Sequence, residues 1–167
     1  KLSYFDQQKE DPETGKNGWR YTPFVIEPAA GATRGLLVYL LDAYHEETVP
    51  DAAGNESSRV VMKLHPKLAP IKAAVLPLVK KEGLPEIARG IVSDFFKAGI
   101  SARYDEQHSI GKRYRRHDEA GTPYCLTIDG QTKEDGTVTI RDRDTMEQER
   151  IPSEKVVELV RKNLALS

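Results

Sequence analysis

The sequence predicts an α/β fold: a mixed β-sheet flanked by helices, preceded by a β-hairpin and one helix. Three observations carry that expectation. From Arg59 onward, short β-branched runs alternate with stretches of helical period, the pattern of helices laid on a sheet. Before His45 the order differs, with two strand-like runs and then a single apolar helix. The charge divides with the pattern. Residues 1–56 hold 5 Lys and Arg against 10 Asp and Glu, a net of −5, whereas residues 57–167 hold 20 against 16, a net of +4.

In chain order, the first strand is expected over residues 1–6 (KLSYFD), which alternate apolar and polar. A polar loop runs to Gly18, and Trp19 to Ile26 (WRYTPFVI) reads as a second strand, antiparallel to the first. Small residues between Glu27 and Arg34 lead into a helix expected from Gly35 to Tyr44. Its GLLVYLLDAY is apolar nearly all round, which argues burial inside something larger than this stretch supplies. His45 to Ser58 is polar, contains Pro50 and Gly54, and shows no period; residues 46–58 read as a linker. The domains are therefore expected at 1–45 and 59–167.

Within the second domain, Val60 to Leu64 and Ala73 to Leu78 read as strands, separated by a proline-punctuated turn. Glu86 to Ala98 sets Ile87, Ile91 and Phe95 beside Ala88, Val92 and Phe96 on one stripe, an amphipathic helix stopped by Gly99. Ile100 to Tyr104 is a strand, and a short basic helix follows from Ile110. Gly121 and Pro123 stop it. Tyr124 to Ile128 and Thr137 to Ile140 are strands joined by a polar turn, and Ile151 ends a last short one. Ser153 is placed to cap a terminal helix whose Val156, Val157, Val160 and Leu164 face inward.

Two groups of cations stand out. Lys112, Arg113, Arg115 and Arg116 crowd the basic helix; Arg141 and Arg143 alternate with Asp142 and Asp144 at the end of the TVTI strand. Arginine forks two apart on a strand share a face and suit planar hydrogen-bonding edges. A solvated helix face and a self-neutralising ladder of surface ion pairs are the competing readings.

Other chemistry finds no support. Lone Cys125, inside a strand, reads as a buried thiol in a reducing compartment. No histidine pair falls at metal-ligand spacing with a supporting Cys or carboxylate, so no metal site is expected. P-loop and GxSxG patterns are missing. No apolar run approaches the roughly 20 residues of a membrane span, and nothing resembles a signal peptide. The expectation is a cytoplasmic protein without membrane contact.

SIGKRYRRHDEAGTPYCLTID followed by TVTIRDRDTMEQERIP resembles the anticodon-binding domain of glycyl-tRNA synthetases, a module shared with the class II enzymes for threonine, proline and histidine. VIEPAAGATRGLL resembles motif 3 of class II catalytic domains in its glycine-specific form. The resemblance implies that residues 1–45 are the end of an antiparallel catalytic domain. It places Arg34, with Gly31, at the ATP site, where the arginine lies over adenine and acts in catalysis. Glu27 and Ala29 fall at the amino-acid pocket, although Ala29 stands where many glycine enzymes have serine. For the tRNA anticodon it implies Arg141, Arg143 and Asp142, with Lys112, Arg113, Arg115 and Arg116 on the backbone. The implied parent is a homodimeric ligase that joins glycine to tRNA(Gly) with ATP and Mg2+. Motifs 1 and 2 have no counterpart here, so this stretch alone is expected to be inactive and to bind no cofactor. A non-catalytic paralogue, such as a polymerase accessory subunit, and the same module from a threonyl, prolyl or histidyl enzyme are the alternatives. The presence of both Arg34 and Glu27 favours the enzyme.

Overall fold

The structure, a computed structural model, describes residues 2–50 and 55–165; Lys1 of the first expected strand, and residues 51–54 of the expected linker, lie outside them. The chain divides into two compact units between Arg34 and Gly35. In the first, β1 (Tyr4–Glu10) and β2 (Asn17–Tyr21) form an antiparallel hairpin whose register shifts between Asp6 and Glu10. Trp19 and Tyr21 stack at 4.4 Å, and the Lys9 ammonium sits 4.5 Å above the Trp19 ring. The second strand ends five residues short of expectation, and the exposed Phe24, Val25 and Ile26 have no ladder partner. Helix α1 (Ala32–Ala43) starts three residues earlier than expected, so Arg34 lies in its first turn.

The stretch expected to be a linker is the clearest correction. Strand β3 (Tyr44–Pro50) pairs antiparallel with β4 (Glu56–Met62) over seven residue pairs. The hairpin is amphipathic in a way its polar sequence hides. Val49, Arg59 and Val61 are buried, while Thr48, Pro50 and Ser58 are exposed and Val60 and Met62 half-buried. It packs with later residues, which is why the division falls before it rather than after residue 45.

The domain proper is a mixed sheet flanked by helices, as the sequence predicted. It has five strands in the order β6-β5-β7-β8-β9, and the strand expected from Val60 to Leu64 falls instead in the separate β3–β4 sheet. These strands are β5 (Ala73–Pro77), β6 (Ala102–Tyr104), β7 (Tyr124–Ile128), β8 (Thr137–Asp142) and β9 (Gln148–Pro152). The first three are mutually parallel and the last two run antiparallel. Helix α2 (Leu84–Lys97) leads from β5 to β6, and α3 (Ile110–Glu119) leads from β6 to β7. Where a polar turn was expected after β7, a short helix α4 (Gly130–Asp135) forms. Asp129 and Thr132 cap it reciprocally, and left-handed Gly136 stops it. Ser153 opens a 3-10 turn to Lys155 rather than capping directly, and α5 (Val156–Ala165) continues from it.

Alternation along the strands gives the sheet two unlike faces. Ala73, Val75, Leu126, Val138 and Ile140 point to one side and build the main core with Leu84, Phe95, Val156 and Val160 of α2 and α5. Ala74, Leu76 and Cys125 point to the other side, where Ile110 and Tyr114 of α3 cover them. Gly121, where α3 stops, has φ 73°, and a Cβ there would stand 3.0 Å from the Met62 carbonyl oxygen. Only glycine allows both that turn and the close approach of β4.

Candidate nucleic-acid interface

Helix α3 sends its cations in different directions. Arg113 points into the fold and is 3% exposed, donating to the carbonyls of Pro77 (2.6 Å), Asp105 and Leu78 at the end of β5. Arg116 turns to Asp105 at 2.7 Å. His117 is buried between Thr122 and Asp105, and desolvation lowers its pKa below the usual imidazole range. Tyr114 bonds the Thr127 hydroxyl at 2.5 Å, and burial raises its pKa. Lys112 stays exposed, and Arg115 donates to Ser57 Oγ at 2.8 Å.

On the β8 side lies a buried ionic node. Asp118, 1% exposed, accepts Arg141 through both carboxylate oxygens at 2.9 and 3.2 Å, and accepts Arg59 Nε at 3.0 Å. Arg59 is equally buried; it also donates to Glu47 at 3.2 Å and to the Arg143 carbonyl. The Arg141 guanidinium lies 4.9 Å from the Tyr114 ring centroid. Burial opposes its charge and is the largest single influence, but the hydrogen bonds and the charge of Asp118, with smaller help from Cys125 and Tyr114, together raise its pKa. Arg143 donates to the Gly121 carbonyl and forks onto Asp144 at 2.8 and 2.9 Å. Asp142 accepts the backbone N–H groups of Asp144 and Thr145, closing the turn into β9.

The expected anticodon residues thus separate. Lys112, Arg115, Arg116 and Arg141 border one open cleft of about 710 Å3, with Met146 and Gln148 opposite and Val49 and Pro50 of the β3–β4 hairpin at its rim. Arg113 and Arg143 do not border it. Arg113 donates to three backbone carbonyls, and Arg143 to the Gly121 carbonyl and the Asp144 carboxylate. Arg141 and Arg143, expected to meet one ligand from a shared face, turn instead to separate internal partners. Asp142 faces a second cavity of about 500 Å3 beside Glu147 and Glu149. Glu27, Ala29, Gly31 and Arg34 are all exposed in the first unit. Tyr114, Asp118 and Arg59 were not singled out from the sequence. Arg59 stands two residues before Val61, the strand spacing that puts both on one face.

Residues 72–163 match the family described as the anticodon binding domain. The chain belongs to that family. An anticodon binding domain is thus the sheet-and-helix body, and the β3–β4 hairpin lies outside the matched residues. Among curated relatives, the glycine–tRNA ligase of Rhodopirellula baltica is 51% identical over 89% of this chain, and that of Clostridium perfringens 51% over 92%. The glycine–tRNA ligase of Bifidobacterium longum is 48% identical over 95%. The chain spans 27%, 32% and 31% of those three proteins, about a third of their length. Among solved structures, the RNA binding domain of threonyl-tRNA synthetase from Cryptosporidium parvum Iowa II superposes with a TM-score of 0.54. It is 26% identical, over 60% of this chain and 25% of that one. Among the described residues no helix is long and apolar enough to cross a membrane, and no group of three or more His, Cys, Asp or Glu side chains could hold a metal ion.

Proposed function

We propose that this chain is the tRNA-recognising part of a glycine–tRNA ligase, and that the cleft between α3, β8 and the β3–β4 hairpin holds the RNA. One observation carries the placement. Two cavities of the domain differ in charge: Lys112, Arg115, Arg116 and Arg141 outnumber Asp118 and Glu119 around one, while Asp142, Glu147 and Glu149 line the other with no cation among the described residues. A polyanion gains counterion release at the first and meets repulsion at the second. Tyr114 backs Arg141, whose guanidinium lies 4.9 Å from the ring centroid, and an arginine plane so supported is of the kind on which unpaired bases stack. The β8–β9 turn at the cleft is also strained. Met146, which lines the cleft, holds a left-handed φ without being glycine, a feature that concentrates at binding sites; Glu82 and His108, which do so too, do not line it.

The parent ligase would be a cytoplasmic homodimer using glycine, tRNA(Gly), ATP and Mg2+. Its Arg34 guanidinium fits the adenine face by cation–π attraction, and its Glu27 carboxylate fits an α-ammonium group; both are exposed here and offer the right charges. The phosphoryl chemistry would be supplied with the Mg2+-bound nucleotide. In a full-length relative, alanine at the Arg34 position should weaken ATP use and leave tRNA affinity unchanged.

The placement is tested by binding. The chain should hold a tRNA(Gly) transcript with an affinity that falls steeply with salt, and Arg115→Ala should lower it and flatten the salt slope by about 0.7–0.9. Binding unaffected by Arg115→Ala and Arg141→Lys would place the RNA elsewhere.

A further inference from the structure

The cationic cleft is assembled by an element that the family match does not include. Arg115 and Arg141, its two best-placed guanidinium groups, are each held from the β3–β4 hairpin. Ser57 Oγ accepts Arg115 Nη2 at 2.8 Å; the other terminal nitrogen of Arg115 is buried and has no partner. Arg59, in the same strand two residues on, anchors Asp118, and Asp118 fixes Arg141 by a two-pronged pairing. Arg59 also donates to the Arg143 carbonyl, so the turn that carries Met146 and leads into β9 at Gln148 is tied to the same side chain. Three walls of the cleft therefore meet at one fully buried guanidinium.

We propose that the β3–β4 hairpin is a clamp that presets the RNA cleft, with Ser57 and Arg59 as positioning residues for Arg115 and Arg141. Neither touches the RNA. Without Ser57, Arg115 samples many rotamers and must be ordered on binding, a cost of the kind that preorganisation removes. Lysine at Arg59 keeps the charge but offers a single point donor, so it cannot serve Asp118, Glu47 and the Arg143 carbonyl from one planar fork. Asp118 then loses one of its two partners and no longer fixes the Arg141 plane over Tyr114. Charge alone would not require this arrangement, because exposed cations on α3 would attract a polyanion without any hairpin.

The inference rests on the cleft reading above, and one experiment separates the two. Binding of a tRNA(Gly) transcript and urea midpoints are measured for the intact 167-residue chain and for Ser57→Ala, Arg59→Lys, Arg115→Ala and Arg141→Lys, with the doubles Ser57→Ala/Arg115→Ala and Arg59→Lys/Arg141→Lys. Ser57→Ala should cost about three- to tenfold in affinity, the net scale of one ordinary hydrogen bond, with the urea midpoint unchanged. Arg59→Lys should cost about tenfold. Each double should bind no worse than its arginine-cleft single variant, because the hairpin residue acts only through that arginine. Parent-like binding by Ser57→Ala and Arg59→Lys, with Arg115→Ala weakened, overturns the clamp and leaves the cleft standing. Additive losses in the doubles overturn it as well. Parent-like binding by Arg115→Ala and Arg141→Lys overturns the cleft and the clamp together. Should Arg59→Lys fail to fold, the Ser57 and Arg115 arm decides alone.

Discussion

On one face of the five-stranded sheet, Val75, Leu126, Val138 and Ile140 meet Leu84, Phe95, Val156 and Val160 in a dry apolar layer. On the other, a thin strip of Ala74, Leu76 and Cys125 gives way to Asp118, Arg59, Arg141, Arg113 and His117, all buried. The first face tolerates no charge and needs none; the second carries more buried charge than stability alone would favour, because taking ions out of water costs more than a pairing returns. Cys125 shows the depth of that strip, its thiol pushed up to about 12 chiefly by burial, far too high to be a nucleophile. Arginines on this side are costly to bury and are retained beside the cleft. The difference separates a face that holds the fold from a face that presents a ligand surface.

The comparison breaks most sharply at Asp118. Alanine there leaves two buried guanidinium groups, Arg59 and Arg141, facing one another with no carboxylate between them. The expected loss is about 3–5 kcal/mol, the range for removing one partner of a buried ion pair, read from urea unfolding. Leu126→Ala probes the opposite face. It opens a cavity in a fully buried site and should cost about 2–5 kcal/mol. Unlike Asp118→Ala, Leu126→Ala in a chain that stays folded should leave tRNA affinity nearly untouched, because no cleft residue packs on Leu126.

A pH titration sharpens the comparison at a third place. Asp129 caps α4 and forks with Arg150 at 2.8 and 2.9 Å, and chiefly that pairing lowers its pKa to about 2. A carboxylate with a lowered folded pKa stabilises the fold above its unfolded value of about 3.9 and loses that contribution as pH falls toward 2. Asp129→Asn should therefore be less stable than the parent at pH 5 and converge with it near pH 2, followed by urea midpoints across that range.

Much of this was legible in the sequence, for reasons that differ by region. Strand β7 and helix α2 were placed nearly to the residue, since a β-branched run and a 3.6 period ending in left-handed Gly99 each fix one structure locally. The β3–β4 hairpin was legible only at its end, where the strand expected from Val60 overlaps β4 up to Met62. Its polar strands bury only Val49, Arg59 and Val61, and one of those three carries a charge, so the alternation reads as a linker. Helix α4 was missed because Asp129, Gly130 and Gly136 are turn formers whose capping bonds appear only once folded. At the site, sequence reasoning found the cations but not which are free. Whether an arginine faces a cleft or a carbonyl depends on partners up to 84 residues away in the chain.

The smallest effect on stability, and the cleanest on binding, is expected at Lys112. It is exposed, lies on the cleft rim, and packs on nothing whose loss would weaken the fold. Lys112→Ala should leave unfolding within about 0.5 kcal/mol of the parent, as for other exposed positions. If the ammonium touches a phosphate, its loss weakens binding to every tRNA alike and reduces the salt slope by about 1. Arg141→Lys should behave differently. That guanidinium is pinned by Asp118 against the Tyr114 ring, so its replacement acts on base stacking and should penalise tRNA(Gly) more than a tRNA with an altered anticodon. Titrating both tRNAs at two salt concentrations gives each variant a loss and a slope. Equal losses for the two tRNAs in both variants would make the charged face of the sheet a purely electrostatic surface, and would move anticodon reading away from Arg141.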